Sequence, residues 1–243
     1  MGFGPFGTAM VYALIVAGGK GIRFRRQIPK QYVALAGVPI LTRTLRVFDA
    51  CDAIDRLVVV VPPADTAFVR DALIAPADLC RSVTVVAGGP RRQDSVFNGL
   101  AAIPPGPAIV VIHDAVRPLV TCATIRACVD AARKYGACSV GLPVWDTLKR
   151  VSDVGWIETT LTRERVWTAQ TPQAFDADVI RMAHERARRE QVAVTDDASL
   201  VERMGTMVHL LPGSPRNIKI TTTEDLVLAA ALLAAPEAPP DNG

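Results

Sequence analysis

Near-continuous runs of Val, Ile and Leu constrain the fold of this chain more than any other feature. Strands that are buried on both faces of a sheet show such unbroken apolar runs, whereas half-exposed strands alternate apolar and polar residues. Stretches with the apolar spacing of helices separate the runs. This alternation predicts an α/β fold, with a doubly wound, mostly parallel, Rossmann-like sheet between two layers of helices. The predicted strands are residues 11–16, 57–61, 83–86, 109–112 and 139–144, and the predicted helices are residues 40–50, 65–73, 95–102 and 124–135.

The length of 243 residues suits one domain of this class, which we expect to span residues 10–235. Residues 1–9 and 236–243 are rich in Gly or Pro, and we expect them to be disordered.

Composition excludes several classes of function. The net charge is only +3, from 27 Lys and Arg against 24 Asp and Glu, which argues against a nucleic-acid partner. The apolar stretch at residues 226–235 is too short to cross a bilayer, so no membrane association is expected. Five cysteines without a Cys-x-x-Cys pair indicate reduced thiols and a cytoplasmic location.

A glycine-rich segment, Ala-Gly-Gly-Lys-Gly-Ile-Arg, follows the first predicted strand at residues 17–23. Glycines at a strand end let backbone N–H groups approach an anion closely, and Arg23 and Lys30 add positive charge nearby. The segment is not a Walker loop, which needs G-x-x-x-x-G-K-[ST]. It is not a dinucleotide fingerprint either, because Phe24 replaces the third glycine. It therefore predicts a bound nucleoside triphosphate, and the alternative is a glycine turn with solvated charges.

A second pair of glycines ends the predicted strand at residues 83–86. Gly88 and Gly89 precede a helical pattern in which Asp94 or Ser95 is a candidate N-cap. Close contact with a base or ribose explains this segment as well as helix capping does, so both interpretations stay open.

Asp114 follows the predicted strand at residues 109–112. A carboxylate at the end of a buried strand is well placed to face Mg²⁺ on a bound triphosphate. The alternative is an ion pair with Arg117, whose guanidinium could instead bind phosphate.

Residues 146–170 interrupt the α/β rhythm. Two short extended runs flank a turn at residues 153–155, which predicts a β-hairpin arm that protrudes from the core. Isolated hairpins are marginal in water, so the apolar residues Trp156, Ile157 and Leu161 need cover. We expect a second subunit to provide it, giving a homodimer. The alternative is an arm that folds back on its own domain.

Two segments near the C-terminus complete the candidate site. Residues 195–199 read Thr-Asp-Asp-Ala-Ser, which indicates a helix N-terminus with Thr195 or Asp196 as the cap. Residues 216–221 predict a short strand, in which period-two alternation turns Lys219 towards the crevice and away from its apolar neighbours.

Seven motifs in one order carry a family resemblance over residues 11–233: A-G-G-x-G-x-R…P-K-Q-Y, G-G-x-x-R-x-D-S-V, H-D-A-x-R-P, P-V-x-D-T-x-K, W-x-A-x-T-P-Q, T-D-D-A-S and N-I-K-I-T. The chain resembles the 2-C-methyl-D-erythritol 4-phosphate cytidylyltransferase family. The resemblance implies a nucleotidyltransferase fold and transfer of CMP from CTP to that alditol phosphate, with release of pyrophosphate, in the non-mevalonate route to isoprenoid precursors. Ribitol 5-phosphate cytidylyltransferases carry nearly the same motifs and are the alternative. A non-catalytic nucleotide-binding protein is the alternative from another class.

The resemblance also implies roles for individual residues. Arg23 and Lys30 would stabilise the transition state at the α-phosphorus, and Mg²⁺ would bridge triphosphate oxygens beside Asp114. The arm would cross to the second subunit, so that Arg163 serves the other chain's site. The nucleotide would be held by Ala17, Gly18, Gly19, Gly21, Gly89 and Ser95. The alditol phosphate would be positioned by Arg163, Lys219, Arg117, Thr147, Thr171 and Thr195.

Overall fold

A computed structural model of the chain describes residues 9–18 and 28–236. Predictions for residues 1–8, 19–27 and 237–243, including disorder at the two ends, lie outside the described residues. In chain order the elements are β1 (Met10–Val16), β2 (Ala34–Leu35), β3 (Val38–Pro39), α1 (Ile40–Ala50), β4 (Arg56–Val61), α2 (Thr66–Phe68), β5 (Val83–Ala87), α3 (Arg92–Ala101), β6 (Ala108–Asp114), α4 (Cys122–Tyr135), β7 (Ala137–Pro143), β8 (Leu148–Val151), β9 (Ile157–Leu161), β10 (Trp167–Asp176), α5 (Ala177–Arg189), α6 (Asp197–Arg203), β11 (His209–Pro212) and α7 (Thr223–Ala234).

Seven strands form the central sheet in the order β11-β7-β10-β6-β1-β4-β5. Strand β1 pairs in parallel with β4 and β6, β4 pairs in parallel with β5, and β7 pairs in parallel with β11. Strand β10 is antiparallel to both of its neighbours, β6 and β7. The predicted α/β fold with a mostly parallel sheet is therefore confirmed, and the five predicted strands correspond to β1, β4, β5, β6 and β7.

Alternate residues of the central strands enter two apolar cores, one on each face of the sheet. On β1, Ala13 and Ile15 pack in the core that contains α1 and α4, whereas Leu14 packs in the core that contains α3, α5 and α6. All three side chains are fully buried. This double burial is the physical reason for the unbroken apolar runs.

The regular helix predicted at residues 65–73 is replaced by short pieces of different pitch. One turn of α2 leads into a π-helix (Val69–Ile74) and then a 3₁₀ turn (Ala75–Ala77). Pro76 lacks the N–H group that a continuing helix needs, and Asp78 has a left-handed φ of 52°. The apolar spacing predicted a helical segment here, but it did not reveal these local changes of pitch.

The strand predicted at residues 216–221 is wrong, because this segment joins neither the central sheet nor the two small sheets. It runs beside the loop after β6, where the N–H of Ile220 donates to the carbonyl of Val116 at 2.9 Å. Ile220 is buried in a small core that includes residues of α7, and Ile218 packs against that core. Lys219, between them, reaches Asp114 instead, so the expected alternation holds without a strand.

Strands β8 and β9 pair as an antiparallel hairpin, with Gly155 in the turn at a φ of 87°. This left-handed conformation carries no steric penalty for glycine. The apolar side chains of the hairpin are exposed, with Trp156 at 77% and Ile157 at 63% of full exposure. Within one chain, therefore, the arm does not fold back to bury these residues.

The five cysteines all carry free thiols. Cys128 and Cys138 lie together in the core, where the Cys138 thiol donates to the carbonyl of Cys128 at 3.2 Å. Within the described ranges, no helix has the length and apolar character needed to cross a membrane.

Candidate active site

The segments that follow β1 and β5 meet at the hydroxyl of Ser95. The N–H of Gly89 donates to Ser95 Oγ at 3.1 Å, and Ser95 Oγ donates to the carbonyl of Arg91 at 3.1 Å. A Cβ atom on Gly18 would lie only 2.9 Å from Ser95 Oγ, so the absence of a side chain permits this close approach. Ser95 thus joins two of the predicted nucleotide-binding segments.

Gly89 occupies a position where a larger residue does not fit. A Cβ atom there would lie 2.4 Å from the Cβ of Asp94. Helix α3 begins at Arg92 with Arg91 as its N-cap, and Asp94 accepts the backbone N–H of Arg91 at 3.2 Å. The prediction that Asp94 or Ser95 caps this helix is therefore wrong. The helix begins earlier than its apolar pattern indicates. Asp94 therefore lies inside the first turn, where its carboxylate accepts the N–H of the N-cap residue.

Lys30 is anchored beside the end of β1 through its neighbour Gln31. Gln31 is buried, and its Nε2 donates to the carbonyl of Ala17 at 2.9 Å. Lys30 therefore lies close in the chain to a residue that is fixed at Ala17, and its catalytic role stays a prediction. Gly19, Gly21 and Arg23 lie outside the described residues, and their roles stay predictions.

Asp114, at the end of β6, is surrounded by basic side chains. Its Oδ1 accepts from Arg92 Nε at 3.1 Å, and its Oδ2 accepts from Lys219 Nζ at 2.8 Å. Arg117 Nε lies 3.7 Å from the same Oδ2. Burial alone would raise the pKa of Asp114, but the charges of Arg92 and Lys219 outweigh burial and hold that pKa well below its usual range. The carboxylate is therefore ionised and shared by three cations.

These residues do not fit a metal site built by the protein. Both oxygens of Asp114 face basic groups, and a divalent cation placed there would be repelled by Arg92 and Lys219. In the part of the chain that the structure describes, no three His, Cys, Asp or Glu side chains are grouped as such a site requires. The predicted role of Asp114 as a metal ligand therefore gains no support from this geometry, which instead favours the ion-pair alternative.

A buried ionic chain continues from Asp114 to helix α6. Arg92 spans two carboxylates, because its Nη1 also donates to Asp197 Oδ2 at 2.7 Å. The other oxygen of Asp197 lies 3.1 Å from His184 Nε2. Burial would raise the pKa of Asp197, but the charge of Arg92 and the contact with His184 lower it overall. Sequence reasoning missed Arg92, although it stands inside the G-G-x-x-R-x-D-S-V motif. Its two partners come from distant parts of the chain.

Thr171 belongs to the same cluster. It lies where the register of β10 shifts, and a cis peptide bond joins it to Pro172. Its buried hydroxyl accepts the N–H of Asp114 at 3.1 Å. The structure therefore brings together three of the predicted substrate-positioning residues, Arg117, Lys219 and Thr171.

Within the described part of the chain, the other three predicted positioning residues make no hydrogen bond or ion pair to Asp114, Arg117 or Lys219. Thr195 is exposed just before α6, whose N-cap is Asp196. Thr147 and Arg163 are exposed on the arm, and the guanidinium of Arg163 donates to the carbonyl of Trp145. Across the described residues of one chain, no hydrogen bond or ion pair links Arg163 to Asp114 or to the basic groups around it.

Comparison with known proteins identifies the family of this chain. The family described as "IspD: 2-C-methyl-D-erythritol 4-phosphate cytidylyltransferase" matches residues 11–235. The chain is 46% identical over 227 residues to the 2-C-methyl-D-erythritol 4-phosphate cytidylyltransferase of Syntrophus aciditrophicus, covering 93% of this chain and 97% of the relative. It is 47% identical to the protein of that name from Syntrophotalea carbinolica, with the same coverage of each chain.

Solved structures agree with the sequence comparison. The 4-diphosphocytidyl-2C-methyl-D-erythritol synthase of Anaerococcus prevotii superposes with a TM-score of 0.82 at 31% identity, covering 93% of this chain and 97% of that one. The 2-C-methyl-D-erythritol 4-phosphate cytidylyltransferase of Thermus thermophilus superposes with a TM-score of 0.76 at 32% identity, covering 93% and 100%. With a match over nearly its whole length and close relatives of similar size, the chain belongs to the 2-C-methyl-D-erythritol 4-phosphate cytidylyltransferase family.

Proposed function

We propose that this chain transfers CMP from CTP to 2-C-methyl-D-erythritol 4-phosphate, giving 4-diphosphocytidyl-2-C-methyl-D-erythritol and pyrophosphate in isoprenoid precursor biosynthesis. The observation that carries the proposal is the cluster of Arg117 and Lys219 around Asp114, at the same edge of the sheet as the segments that meet at Ser95. The segments that meet at Ser95 suit a nucleotide, and the basic cluster around Asp114 suits the phosphate of the acceptor. The relatives compared above carry the methylerythritol name, so the ribitol alternative is not favoured.

The reaction depends on positioning and charge neutralisation more than on covalent help from the protein. A phosphate oxygen of the acceptor attacks the α-phosphorus of CTP. A new P–O bond forms as the bond to the bridging oxygen of pyrophosphate breaks, and the electron pair leaves with pyrophosphate. Lys30, together with Arg23, neutralises the charge that develops on the α-phosphate.

Lys219 and Arg117 hold the acceptor phosphate in this proposal. The Lys219 side chain is 38% exposed, so a ligand can reach it, whereas the Asp114 carboxylate behind it is buried. Asp114 keeps the two cations close together until the substrate adds its own negative charge. The cluster is therefore preorganised for an anion.

We also propose that the activity depends on Mg²⁺. Mg²⁺ prefers phosphate and water oxygens and needs few protein ligands, so we expect the ion to enter with the triphosphate of CTP. When bound there, it would reduce the repulsion between the two phosphate-bearing substrates. Loss of turnover in EDTA, with recovery in excess Mg²⁺, is the expected result.

The proposed assembly is a homodimer joined through the arm at residues 146–170. The exposed Trp156 and Ile157 support this proposal, since a second subunit would remove them from water. Thr147 and Arg163, which within the described residues of their own chain make no hydrogen bond or ion pair to the Asp114 cluster, would then reach the site of the other subunit. We further propose a cytoplasmic location, which the five free thiols support.

Pyrophosphate release tests the proposed function. We expect release that requires both CTP and 2-C-methyl-D-erythritol 4-phosphate, with little turnover of UTP or ATP. If CTP binds but no acceptor yields pyrophosphate, the proposal is wrong and the chain is a nucleotide-binding protein without this activity.

A further inference from the structure

His113 is a fully buried residue at the end of β6, directly before Asp114. Its ring packs against Phe48, with 4.9 Å between the ring centroids. Both ring nitrogens have polar partners: Nε2 lies 3.1 Å from the carbonyl oxygen of Arg117, and Nδ1 lies 3.0 Å from Thr171 Oγ1. The mechanism proposed above does not use this side chain.

The partners of His113 determine the direction of every hydrogen bond around it. Burial lowers the pKa of His113 to about 4, so the ring is neutral at pH 7 and has one donor and one acceptor nitrogen. A carbonyl oxygen can only accept, so the proton lies on Nε2 and points at Arg117. Nδ1 must then accept, and the Thr171 hydroxyl donates to it. The oxygen of that hydroxyl remains free to accept the N–H of Asp114, at 3.1 Å.

These bonds continue into a closed ring of four residues. Arg117 Nη1 donates to the carbonyl of Asn217 at 2.7 Å, and Asn217 Nδ2 donates to the carbonyl of Thr171 at 2.8 Å. Thr171 returns to His113. The ring therefore joins the end of β6, the irregular part of β10 and the C-terminal segment that carries Lys219.

This hydrogen-bonded ring of residues adjoins the groups that would hold the acceptor phosphate. Asp114 follows His113 directly, Arg117 is a member of the ring, and Lys219 stands two residues after Asn217. A change in the orientation of the His113 ring would therefore displace the backbone on both sides of the Asp114 carboxylate. Among the residues that the structure describes, the contacts around Ser95 share no hydrogen bond with His113.

We propose that His113, as a neutral imidazole with its proton on Nε2, is a positioning residue for the acceptor-phosphate half of the site. It does not touch either substrate. It sets the backbone and the side-chain direction of Arg117 and Asp114. The inference rests on the proposed function for its kinetic test, but the protonated nitrogen can be identified without turnover.

Two substitutions divide the roles of the ring nitrogens. His113→Gln keeps an N–H donor near the position of Nε2, and His113→Asn keeps an acceptor near the position of Nδ1. We expect His113→Asn to raise KM for the alditol phosphate by about tenfold, because Arg117 loses a buried hydrogen bond. KM for CTP should change by less than about twofold, since that half of the site is separate. His113→Gln should have the smaller effect.

The matched control is Ile180→Ala, which opens a cavity at another fully buried position, on α5 and away from the cluster. It should lower stability and leave both KM values unchanged. If His113→Asn raises the two KM values equally, or if Ile180→Ala shifts their ratio in the same way, His113 is only a core residue and the inference is wrong.

A spectroscopic measurement on the wild-type protein is independent of turnover. With ¹⁵N-labelled histidine at pH 7, the long-range ¹⁵N–¹H spectrum should assign to His113 a neutral ring protonated on Nε2. A proton on Nδ1, or a charged ring, would overturn the inference even if the enzyme is active. The expected spectrum from a protein that does not turn over the alditol phosphate would contradict the proposed function and leave the hydrogen-bond assignment standing.

If the His113 variants do not fold, Thr171 offers the same test from the other side. Thr171→Val removes the hydroxyl at nearly constant shape, and Thr171→Ser restores it. We expect the Nδ1 resonance of His113 to shift in Thr171→Val and to return in Thr171→Ser. An unchanged resonance in Thr171→Val would show that the hydroxyl does not donate to His113, and the inference would be wrong.

Discussion

Lys219 Nζ lies 2.8 Å from Asp114 Oδ2, and this ion pair fastens the C-terminal segment to the end of β6. The lysine is partly exposed and the carboxylate is buried, so the pair presents its positive end to solvent. Arg92 and Arg117 bring further positive charge to the same carboxylate. Asp114 thus gathers three basic side chains, an arrangement that favours an anion over a divalent cation.

Removing the charge of Lys219 should impair use of the acceptor. We expect Lys219→Met to lower kcat/KM for the alditol phosphate at least thirtyfold, which corresponds to about 2 kcal/mol for a lost charge-assisted contact. Lys134→Met, at an exposed position in the last turn of α4, is the matched control and should behave as wild type. Steady-state kinetics with saturating CTP make the measurement. Equal rates for the two variants would contradict the role of Lys219.

Removing Arg92 should destabilise the fold, because the buried Asp197 loses its arginine counter-ion and Asp114 loses one of its three basic partners. We expect Arg92→Met to reduce the free energy of unfolding by about 3 kcal/mol or more. The neighbouring Arg91 pairs with Asp94 at the surface, where solvent screens the charges, so Arg91→Met should cost far less stability than Arg92→Met. Urea denaturation of both variants measures the difference. Similar losses for Arg91→Met and Arg92→Met would show that the buried chain contributes little.

The pH dependence of stability should reflect the same buried ionic chain, which links Asp114, Arg92 and Asp197. The folded-state pKa of Asp197 is lowered, so its contribution to stability is complete above the unfolded-state pKa of about 4. That contribution is lost as the pH falls further, towards the folded-state pKa. We expect Asp197→Asn to be less stable than wild type at pH 7 and to lose less stability between pH 4 and pH 2.5. Parallel curves for the two proteins would contradict this account.

His113 should also make the stability of the fold depend on pH, in a higher pH range than Asp197 does. Its pKa falls from 6.5 in the unfolded chain to about 4 in the folded protein, so the unfolded state binds the additional proton between these values. Stability should therefore decrease as the pH drops from about 6.5 to about 4. Thermal denaturation at several pH values should show a flatter profile in this range for His113→Gln. An identical slope in that variant would rule out His113 as the source.

Substitution of Gly89 should affect the nucleotide and spare the acceptor. The new Cβ in Gly89→Ala would meet the Cβ of Asp94 at 2.4 Å, so the turn before α3 must move. We expect KM for CTP to rise about tenfold or more, as one displaced contact of about 1.4 kcal/mol implies. KM for the alditol phosphate serves as the internal control. A rise confined to that second constant would contradict the assignment of Gly89 to the nucleotide.

The arm should control assembly. Ile157→Asp places a charge among exposed apolar residues of the hairpin. In sedimentation velocity we expect the wild type to behave as a dimer and Ile157→Asp as a monomer at the same concentration. Thr159→Ser, at an exposed position on the same strand, should leave the dimer intact. A monomeric wild-type protein with full activity would contradict both the dimer and the sharing of Arg163.

Five of the seven strands of the sheet were predictable, because packing on both faces leaves unbroken apolar runs in the sequence, whereas β10 and β11 were not predicted. Strand β10 has no such trace, since its first residues are exposed and it runs against its neighbours. The segment around Lys219 resembles a strand in its alternation, but in the described part of the chain its backbone meets the Val116 loop through the single hydrogen bond from Ile220. Alternation reports which residues face a core, and it does not report which backbone lies alongside.

The candidate site was predictable where a motif is contiguous, as for Asp114 and Arg117. The role of Arg92 was not, because it depends on Asp197, which the fold brings from 105 residues away. The role of His113 was hidden for a related reason. The sequence draws attention to the neighbouring Asp114, whereas Thr171, the hydrogen-bond partner of His113, lies 58 residues further along the chain.

The central claim is transfer of CMP to 2-C-methyl-D-erythritol 4-phosphate, and the most direct test is a comparison of acceptors. With CTP and Mg²⁺ fixed, kcat/KM is measured for 2-C-methyl-D-erythritol 4-phosphate and for ribitol 5-phosphate, with the cytidylylated product identified by mass. The ratio of the two kcat/KM values measures selectivity, and we predict that it favours the methylerythritol substrate by about a hundredfold or more. Equal or greater turnover of ribitol 5-phosphate, or no pyrophosphate from either acceptor, would contradict the account.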